Sequence, residues 1–231
     1  MNAATTSSAP STSLYEAKPL ADREGAIRVI RLQADQDDSL IRCTLHDAVV
    51  AEDEYIALSH VWGSEPVSCR ILVDEQDFWI KPNLCDFLAY AQKNMIGVNL
   101  WVDAVCIDQN NAQKRSIQVS MIGTIFRKAV KVMLWPRSPL PQAQWKPIYD
   151  TDFVVLEKLV HEQKLVIESA RIKYILPPSL FRLIRHEYWS RAWIVQEILL
   201  ATDVELHWEG SCLAWSSLEI FLGLTHFRRN R

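Results

Sequence analysis

Three short apolar segments, separated by stretches with helical periodicity, restrict the possible fold of this chain more than any other feature. The segments are YIALSHVWG (55–63), NLWVDAVCI (99–107) and KVMLW (131–135). Short, almost continuous apolar runs are typical of strands buried on both faces, and strands joined through helices pair in parallel. The sequence therefore predicts an α/β fold of the doubly wound type. Its mainly parallel sheet has these three strands adjacent at the centre and helices on both faces.

The intervening helices are predicted from apolar spacing. One helix begins at Lys81-Pro82-Asn83 and ends near Gly97, and a second covers KRSIQVSMIGTIFRKA (114–129). Both place apolar residues three or four positions apart, which puts them on one helical face. These helices are the expected connections between the central strands.

Further strands are predicted outside the central three. IRVIRL (27–32) and IRCTLHD (41–47) alternate apolar and polar residues, which predicts an N-terminal β-hairpin or a pair of edge strands. ILVDEQDFWI (71–80) is predicted to form a second hairpin with its turn at 74–77. DVELHWEG (203–210) is read as a strand and SSLEIFLGLTHF (216–227) as a last helix.

The chain divides into a tail and one domain. Residues 1–13 consist mostly of Ser, Thr, Ala and Pro and are predicted to be disordered, so the domain covers residues 14–231. Within it, a Pro-rich segment starting at Pro136 opens a helical insertion at about 136–180, which ends at Pro177-Pro178-Ser179 with Ser179 as a candidate N-cap. The chain is expected to be the N-terminal part of a longer protein with a further regulatory domain or partner.

Composition restricts the partners. The net charge of −3 and the pI near 6.1 provide no general attraction to nucleic acid. No apolar run reaches the length of about 18 residues needed to span a bilayer, so no membrane partner and a cytoplasmic location are expected. Five cysteines without Cys-x-x-Cys spacing are interpreted as reduced thiols.

A carboxylate interrupts the apolar segment SRAWIVQEILLA (190–201). Glu197 follows Trp193, Ile194 and Val195 and precedes four more apolar residues. A charge in such surroundings loses hydration and needs a compensating partner. Three interpretations stay open: Glu197 pairs with a basic residue such as Arg191 or Arg185, it lies on a narrow exposed stripe, or it performs chemistry.

Three blocks of the sequence resemble a known family. YIALSHVWG, then LWVDAVCIDQNNAQKRSIQVSMIGTIFRKAVKVMLW, then YWSRAWIVQEILLA are similar, in the same order, to the signature blocks of the fungal heterokaryon-incompatibility (HET) domain. The resemblance implies a role in non-self recognition and programmed cell death, and a TIR-like (flavodoxin-like) fold. Many TIR domains carry a Trp-x-x-x-Glu helix whose glutamate is the catalytic residue of an NAD hydrolase, and Trp193 to Glu197 reproduces that spacing.

The resemblance therefore implies an NAD glycohydrolase that releases nicotinamide, with NAD as substrate and no metal. A buried carboxylate suits this reaction, because it can stabilise an oxocarbenium-like sugar while nicotinamide leaves as a neutral base. The catalytic residue is then Glu197. The loops after the first and second central strands add candidate NAD contacts, and the helix adds one more: Ser59, His60, Trp62, Gly63, Asp103, Asp108, Gln109 and Trp193.

Several of these residues have structural alternatives. Trp193 is read either as core packing or as a pocket wall, Asp108 as a cap of the turn that follows it, and Trp62-Gly63 as a turn with a packed indole. The catalytic hypothesis expects Ser59, Trp62, Asp103 and Glu197 to converge around one cleft, and expects Glu197→Gln to keep the fold and the melting temperature.

The alternative function is a non-catalytic signalling module that acts through homotypic or partner contacts. A homo-oligomer on activation is expected for the domain in either case. An open pocket at Glu197 favours the enzyme, whereas a closed pair with arginine favours the module.

HWEG (207–210) with Cys212 lacks the Cys-x-x-Cys partner of zinc deaminases, so a metal site is not expected.

Overall fold

The computed structural model describes residues 14–34, 40–140, 142–146 and 178–214. Nine strands in these ranges form one sheet in the order β5-β4-β2-β1-β6-β3-β7-β8-β9. The strands are β1 Ala26–Leu32, β2 Arg42–Val49, β3 Ile56–His60, β4 Cys69–Val73, β5 Gln76–Ile80, β6 Leu100–Trp101, β7 Lys131–Trp135, β8 Val204–Trp208 and β9 Ser211–Ala214. The helices are α1 Leu14–Ala17, α2 Pro82–Asn94, α3 Asp103–Cys106, α4 Ala112–Ser120, α5 Ile122–Lys128, α6 Pro178–Ile184 and α7 Ile194–Leu199, with short 3₁₀ turns at Gln142–Gln144 and Glu187–Ser190.

The centre of the sheet is parallel. Strand β3 lies between β6 and β7 and is parallel to both, and β8 is parallel to β7. Ala57 and Leu58 of β3 and Val132 to Leu134 of β7 are all buried, because neighbouring elements cover both faces of these strands. The predicted α/β fold and the adjacency of the three central strands are confirmed.

The outer part of the sheet mixes directions. Strands β1 and β2 form the predicted antiparallel hairpin, with register from Ala26 opposite Val49 to Leu32 opposite Cys43. Strands β4 and β5 form the second hairpin, in which Asp74 and Glu75 have φ angles of 50° and 60°, as a two-residue primed turn requires. Strand β9 was not predicted. It pairs antiparallel with β8 through a tight turn at Glu209-Gly210.

Helices cover both faces of the central strands. The hydroxyl of Tyr55, just before β3, donates to the carbonyl of Ile125 on α5 at 2.8 Å, and Ser59 points to the same face because side chains alternate along a strand. On the opposite face the ring of Phe87 on α2 packs edge-on against Trp135 of β7, with ring centres 5.4 Å apart. The predicted two-sided covering is confirmed.

Two segments differ from the sequence prediction. The predicted strand NLWVDAVCI contains a strand of two residues, after which Asp103 begins the short helix α3. Its apolar residues Val105 and Cys106 are buried in that helix, and an apolar run does not distinguish a strand from a short buried helix. The predicted helix 114–129 is interrupted at Met121, where α4 ends and α5 begins.

The interpretation of all five cysteines as reduced thiols is wrong for two of them. Cys69 at the start of β4 and Cys85 on α2 form a disulfide, with their Cα atoms 6.2 Å apart. The folding of the β4–β5 hairpin brings residues 16 positions apart together, and spacing alone does not reveal such a contact. Cys43 and Cys106 are free and buried, and Cys212 is free and exposed.

Several predictions lie outside the described residues. These are the tail 1–13, most of the insertion at 136–180 and the last helix 216–227. After the insertion, α6 begins at Pro178, so Ser179, the predicted N-cap, lies inside the first turn of this helix instead. Among the described residues, every helix is too short or too polar to cross a membrane.

Candidate functional site

Glu197 is buried at the carboxyl end of the central strands and forms a two-point ion pair. The residue is 4% exposed. Arg191 donates from Nη1 to Oε2 at 2.9 Å and from Nη2 to Oε1 at 2.8 Å. This fork-to-fork arrangement is the strongest geometry available to an arginine and a carboxylate. Of the three interpretations, the structure shows the pair with Arg191.

Two hydroxyl groups complete the surroundings of this ion pair. Ser59 at the end of β3 donates to Oε2 of Glu197, so the hydroxyl of Tyr188, 2.5 Å from Ser59 Oγ, is the donor in their mutual hydrogen bond. Arg191 Nη1 also donates to Ser59 Oγ at 3.2 Å, and its guanidinium lies 5.3 Å from the centre of the Tyr188 ring. Ser59, Tyr188, Arg191 and Glu197 are named the Glu197 clamp below.

Burial and charge act in opposite directions on this carboxyl group. Burial raises the pKa of Glu197, while the positive charge of Arg191 and the hydrogen bonds from Ser59 and Arg191 lower it; the net direction is upward. Burial also raises the pKa of Tyr188 far above its ordinary value. Tyr188 therefore keeps its proton and its role as donor at physiological pH.

The local sequence explains how the clamp is positioned. The 3₁₀ turn at Glu187–Ser190 is capped by His186, whose Nδ1 accepts from the Tyr188 N–H at 3.1 Å. Trp189 Nε1 donates to the carbonyl of Leu183 on α6 at 2.7 Å. The turn is thereby fixed to α6, and Arg191 leaves it in an extended conformation that directs its side chain to Glu197 on α7.

A second polar group lies at the end of β3. Trp62 Nε1 donates to Asp103 Oδ2 at 2.9 Å. His60 Nδ1 is 3.7 Å from Asp103 Oδ1, which is buried and has no hydrogen-bond partner among the described residues. Burial lowers the pKa of His60, against the effect of the nearby Asp103, so the imidazole is neutral at pH 7. Gln109 Nε2 donates to the Asp103 carbonyl at 2.9 Å.

The loop after β3 is held by the N-cap residue and the first turn of α2. Lys81 Nζ donates to the carbonyl of Gly63 at 2.7 Å, and Asn83 Nδ2 donates to that of Val61 at 2.6 Å. Gly63 has a φ angle of +69°, a conformation that glycine adopts without steric cost. No regular turn forms at Trp62-Gly63, and the indole of Trp62 is exposed rather than packed in the core.

The four residues expected to share one cleft form two contact groups. Ser59 and Glu197 touch on the face of the sheet that carries α5, while Trp62 and Asp103 touch each other beside His60. Ser59 and His60 are consecutive, so their side chains leave β3 on opposite faces. Asp103 still raises the pKa of Glu197 electrostatically, which means that the two groups are neighbours across the strand end.

Two further candidates have other surroundings. Asp108 Oδ1 accepts from the Asn110 N–H at 3.2 Å, which is the turn-forming role weighed as its alternative. Trp193 precedes α7 and is 46% exposed. The alternative that Trp193 packs in the core is therefore wrong.

Sequence reasoning missed a second buried carboxylate of the same kind. The side chain of Glu209, at the β8–β9 turn, is 0% exposed. It accepts from Arg182 Nε at 3.0 Å and Nη2 at 2.6 Å, from Ser179 Oγ at 2.6 Å and from Ser138 Oγ at 2.8 Å. Burial raises the pKa of Glu209, but the hydrogen bonds from Arg182, Ser179 and Ser138 outweigh that effect and the pKa is lowered. Glu209, Arg182, Ser179 and Ser138 are named the Glu209 clamp.

The local sequence around Tyr188 and Glu209 gives little sign of either clamp. Tyr188 precedes Arg191 by three positions in YWSRAW, and Glu209 stands directly before Gly210 in HWEG. Neither pattern indicates a buried ion pair, because the partners of each carboxylate come from distant segments of the chain. A buried glutamate flanked by apolar residues was the one usable signal, and it was used for Glu197 alone.

Comparisons with known proteins agree on one family. A model of the family described as heterokaryon incompatibility protein (HET) matches residues 55–197, more than half of this chain. Heterokaryon incompatibility protein 6, OR allele, of Neurospora crassa is 23% identical over 230 residues, covering 82% of this chain. The matched part is 34% of the Neurospora protein, so the chain spans about a third of its length. No solved structure matches.

Proposed function

We propose, because this chain belongs to the heterokaryon incompatibility (HET) family, that it acts in the rejection of unlike fungal cells after fusion and in the cell death that follows. The matched block includes β3, β7 and Glu197 at its last position. The Glu197 clamp thus joins the beginning and the end of the segment that defines the family. The function of the domain therefore depends on what this clamp does.

Within that function we assign the clamp a structural role, in an interaction and signalling module. Both carboxylate oxygens of Glu197 are occupied by Arg191, and Ser59 adds a third hydrogen bond. A substrate cation has no access to a carboxylate that is 4% exposed, and the guanidinium neutralises the charge that would have to stabilise it. This closed pair is the observation that carries the proposal.

The surface near the clamp supports action through contacts with other proteins. Trp193, Val195 and Leu199 expose large apolar side chains around the short helix α7, and aromatic residues are enriched where proteins meet. A second copy of the chain is the partner that the module hypothesis requires, as a homo-oligomer formed on activation.

The second candidate is NAD hydrolysis, and one observation favours it. Asp103 Oδ1 is buried without a hydrogen-bond partner among the described residues, at the carboxyl end of parallel strands where α/β proteins bind ligands. An unpaired acceptor of this kind is suited to a ribose hydroxyl. For Glu197 to act on the sugar, Arg191 would first have to leave the carboxylate.

One assay separates the two candidates. The purified chain is incubated with NAD, and released nicotinamide is measured for the wild type, Glu197→Gln and Glu209→Gln. The control is matched, because Glu209→Gln also removes a buried carboxylate with its own arginine partner, at a different place. The structural proposal expects no release above the uncatalysed rate from any of the three proteins.

Release by the wild type and by Glu209→Gln, but not by folded Glu197→Gln, would overturn the structural proposal and establish the hydrolase. Circular dichroism of each variant shows whether it is folded at the assay temperature. Expression of the same variants in fungal cells links the result to killing. The structural proposal expects both carboxylate variants to lose killing in proportion to their loss of folded protein.

A further inference from the structure

The β8–β9 hairpin aligns three side chains of metal-binding type on one face. Glu205 and His207 are two positions apart on β8 and therefore point to the same side. Cys212 on β9 is paired directly with His207 in the antiparallel register, so its side chain joins that face as well. The ligand atoms of Glu205, His207 and Cys212 all lie within 4.8 Å of one another.

We propose that Glu205, His207 and Cys212 form a zinc-binding site, with the fourth position of the ion taken by water. Thiolate, imidazole and carboxylate are the three ligand types that Zn²⁺ uses in proteins, and three protein ligands with one open position are typical of its non-structural sites. The hairpin register supplies the thiol ligand that a Cys-x-x-Cys motif would otherwise provide.

The distances fit an ion of this size. With bonds of about 2.0–2.3 Å to zinc, ligand atoms at the corners of a tetrahedron lie about 3.3–3.8 Å apart. His207 Nε2 and Glu205 Oε1 are now 2.5 Å apart. Entry of zinc between them requires these two atoms to move apart by about 1 Å, which rotation of the half-buried Glu205 side chain can provide.

The imidazole is already oriented for this role. His207 is buried and its ring packs between Tyr90 and Trp135, with ring centres 5.2 and 5.9 Å away. Cys212 is exposed, so an ion reaches the site from solvent. A fixed histidine beside an accessible thiol reduces the ordering cost of binding.

One neighbouring charge opposes the ion. Lys131 of β7 donates from Nζ to Glu205 Oε2 at 2.7 Å and lies 4.0 Å from Asp203. Its positive charge repels a cation and competes for the carboxylate. Removing that charge is therefore expected to strengthen zinc binding, whereas a site that is merely a network of ion pairs would gain nothing from it.

Cobalt titration of the purified chain, prepared free of metal under reducing conditions, tests the proposal. Tetrahedral Co²⁺ bound to a thiolate gives an intense sulfur-to-metal charge-transfer band, and zinc should abolish this band by displacing cobalt. The wild type is expected to bind one ion per chain. Cys212→Ser should lose the band, and Glu205→Gln should weaken cobalt binding by at least about 10- to 100-fold, the effect of losing outer-shell partners alone.

Two variants make the outcome decisive. Cys69→Ala/Cys85→Ala controls for the two thiols released when the Cys69–Cys85 disulfide is reduced, and it should keep the band. Lys131→Gln should bind cobalt more tightly than the wild type. A wild type without a charge-transfer band, or a Cys212→Ser protein with an unchanged band, overturns the proposal.

Discussion

Replacing Glu197 with glutamine leaves the guanidinium of Arg191 without its counter-charge in a site that excludes most water. The variant loses the two charge-assisted hydrogen bonds to Arg191. The amide group of the new side chain also places a donor opposite the donors of Arg191 or Ser59, where no hydrogen bond can form. The structure thus replaces the expectation of an unchanged melting temperature with one of substantial destabilisation.

The size of the effect follows from burial. Removing one partner of a fully buried ion pair costs about 3–5 kcal/mol. The side chain of Arg191 is 22% exposed and keeps some contact with water, so we expect about 2–3 kcal/mol for Glu197→Gln. For a domain of this size that corresponds to a melting temperature lower by roughly 5–10 °C.

A double-mutant cycle separates the ion pair from other losses. Arg191→Met strands a carboxylate whose side chain is 5% exposed and should cost more than Glu197→Gln. Because the second substitution removes the stranded charge, Arg191→Met/Glu197→Gln should be more stable than the sum of the single effects predicts, by about 2–3 kcal/mol. Urea unfolding of the four proteins measures this coupling.

The reasoning fails if the two single effects add. It also fails if Glu197→Gln melts within about 1 °C of the wild type, since a loss of about 2 kcal/mol lowers the melting temperature by several times that amount. The corresponding cycle with Arg182→Met and Glu209→Gln is the positive control, because Glu209 is the more deeply buried carboxylate of the two.

Three further changes are expected to alter stability in defined directions. Burial holds the pKa of His60 and of His207 below 6.5 in the folded chain. As pH is lowered from about 7 to 5, the unfolded chain therefore takes up protons first and the unfolding free energy should fall. The fall should be smaller in His60→Gln. Gly63→Ala places a side chain at a φ angle of +69° and should cost about 1–2 kcal/mol in urea unfolding, whereas an unchanged midpoint would show that the loop readjusts. Tyr55→Phe removes the 2.8 Å hydrogen bond to Ile125 and should lower the unfolding free energy by about 1 kcal/mol, a prediction that an equally stable variant would contradict.

Periodicity was sufficient for the central architecture. The apolar runs around Ala57 and Met133 and the helical spacing of 82–95 arise from burial, and burial leaves a direct record in the sequence. The same signal failed at Asp103, because a buried helix of one turn and a buried strand have similar composition. It also contained no information about the Cys69–Cys85 contact, which the β4–β5 hairpin creates.

The candidate site was only partly predictable. Its carboxylate, Glu197, was identified because a charge in an apolar helix requires an explanation, and Arg191 was one of two partners considered. The contributions of Ser59 and Tyr188 to the same clamp depend on β3 and the 3₁₀ turn meeting in space. Such meetings are set by the packing of elements far apart in the chain, which a single sequence does not encode in any local pattern.

The two clamps, considered together, favour a structural origin for both. Each contains a buried glutamate, a two-point arginine and at least one serine hydroxyl. Each also joins a segment from residues 178–214 to an earlier part of the chain, Ser59 in one case and Ser138 in the other. Catalysis would explain the Glu197 clamp and leave its counterpart at Glu209 without a reason, whereas the need to fix late segments onto the sheet explains both. The comparison of Glu197→Gln with Glu209→Gln therefore tests a specific point: a difference between them in NAD cleavage at equal stability is the result that a shared structural role does not allow.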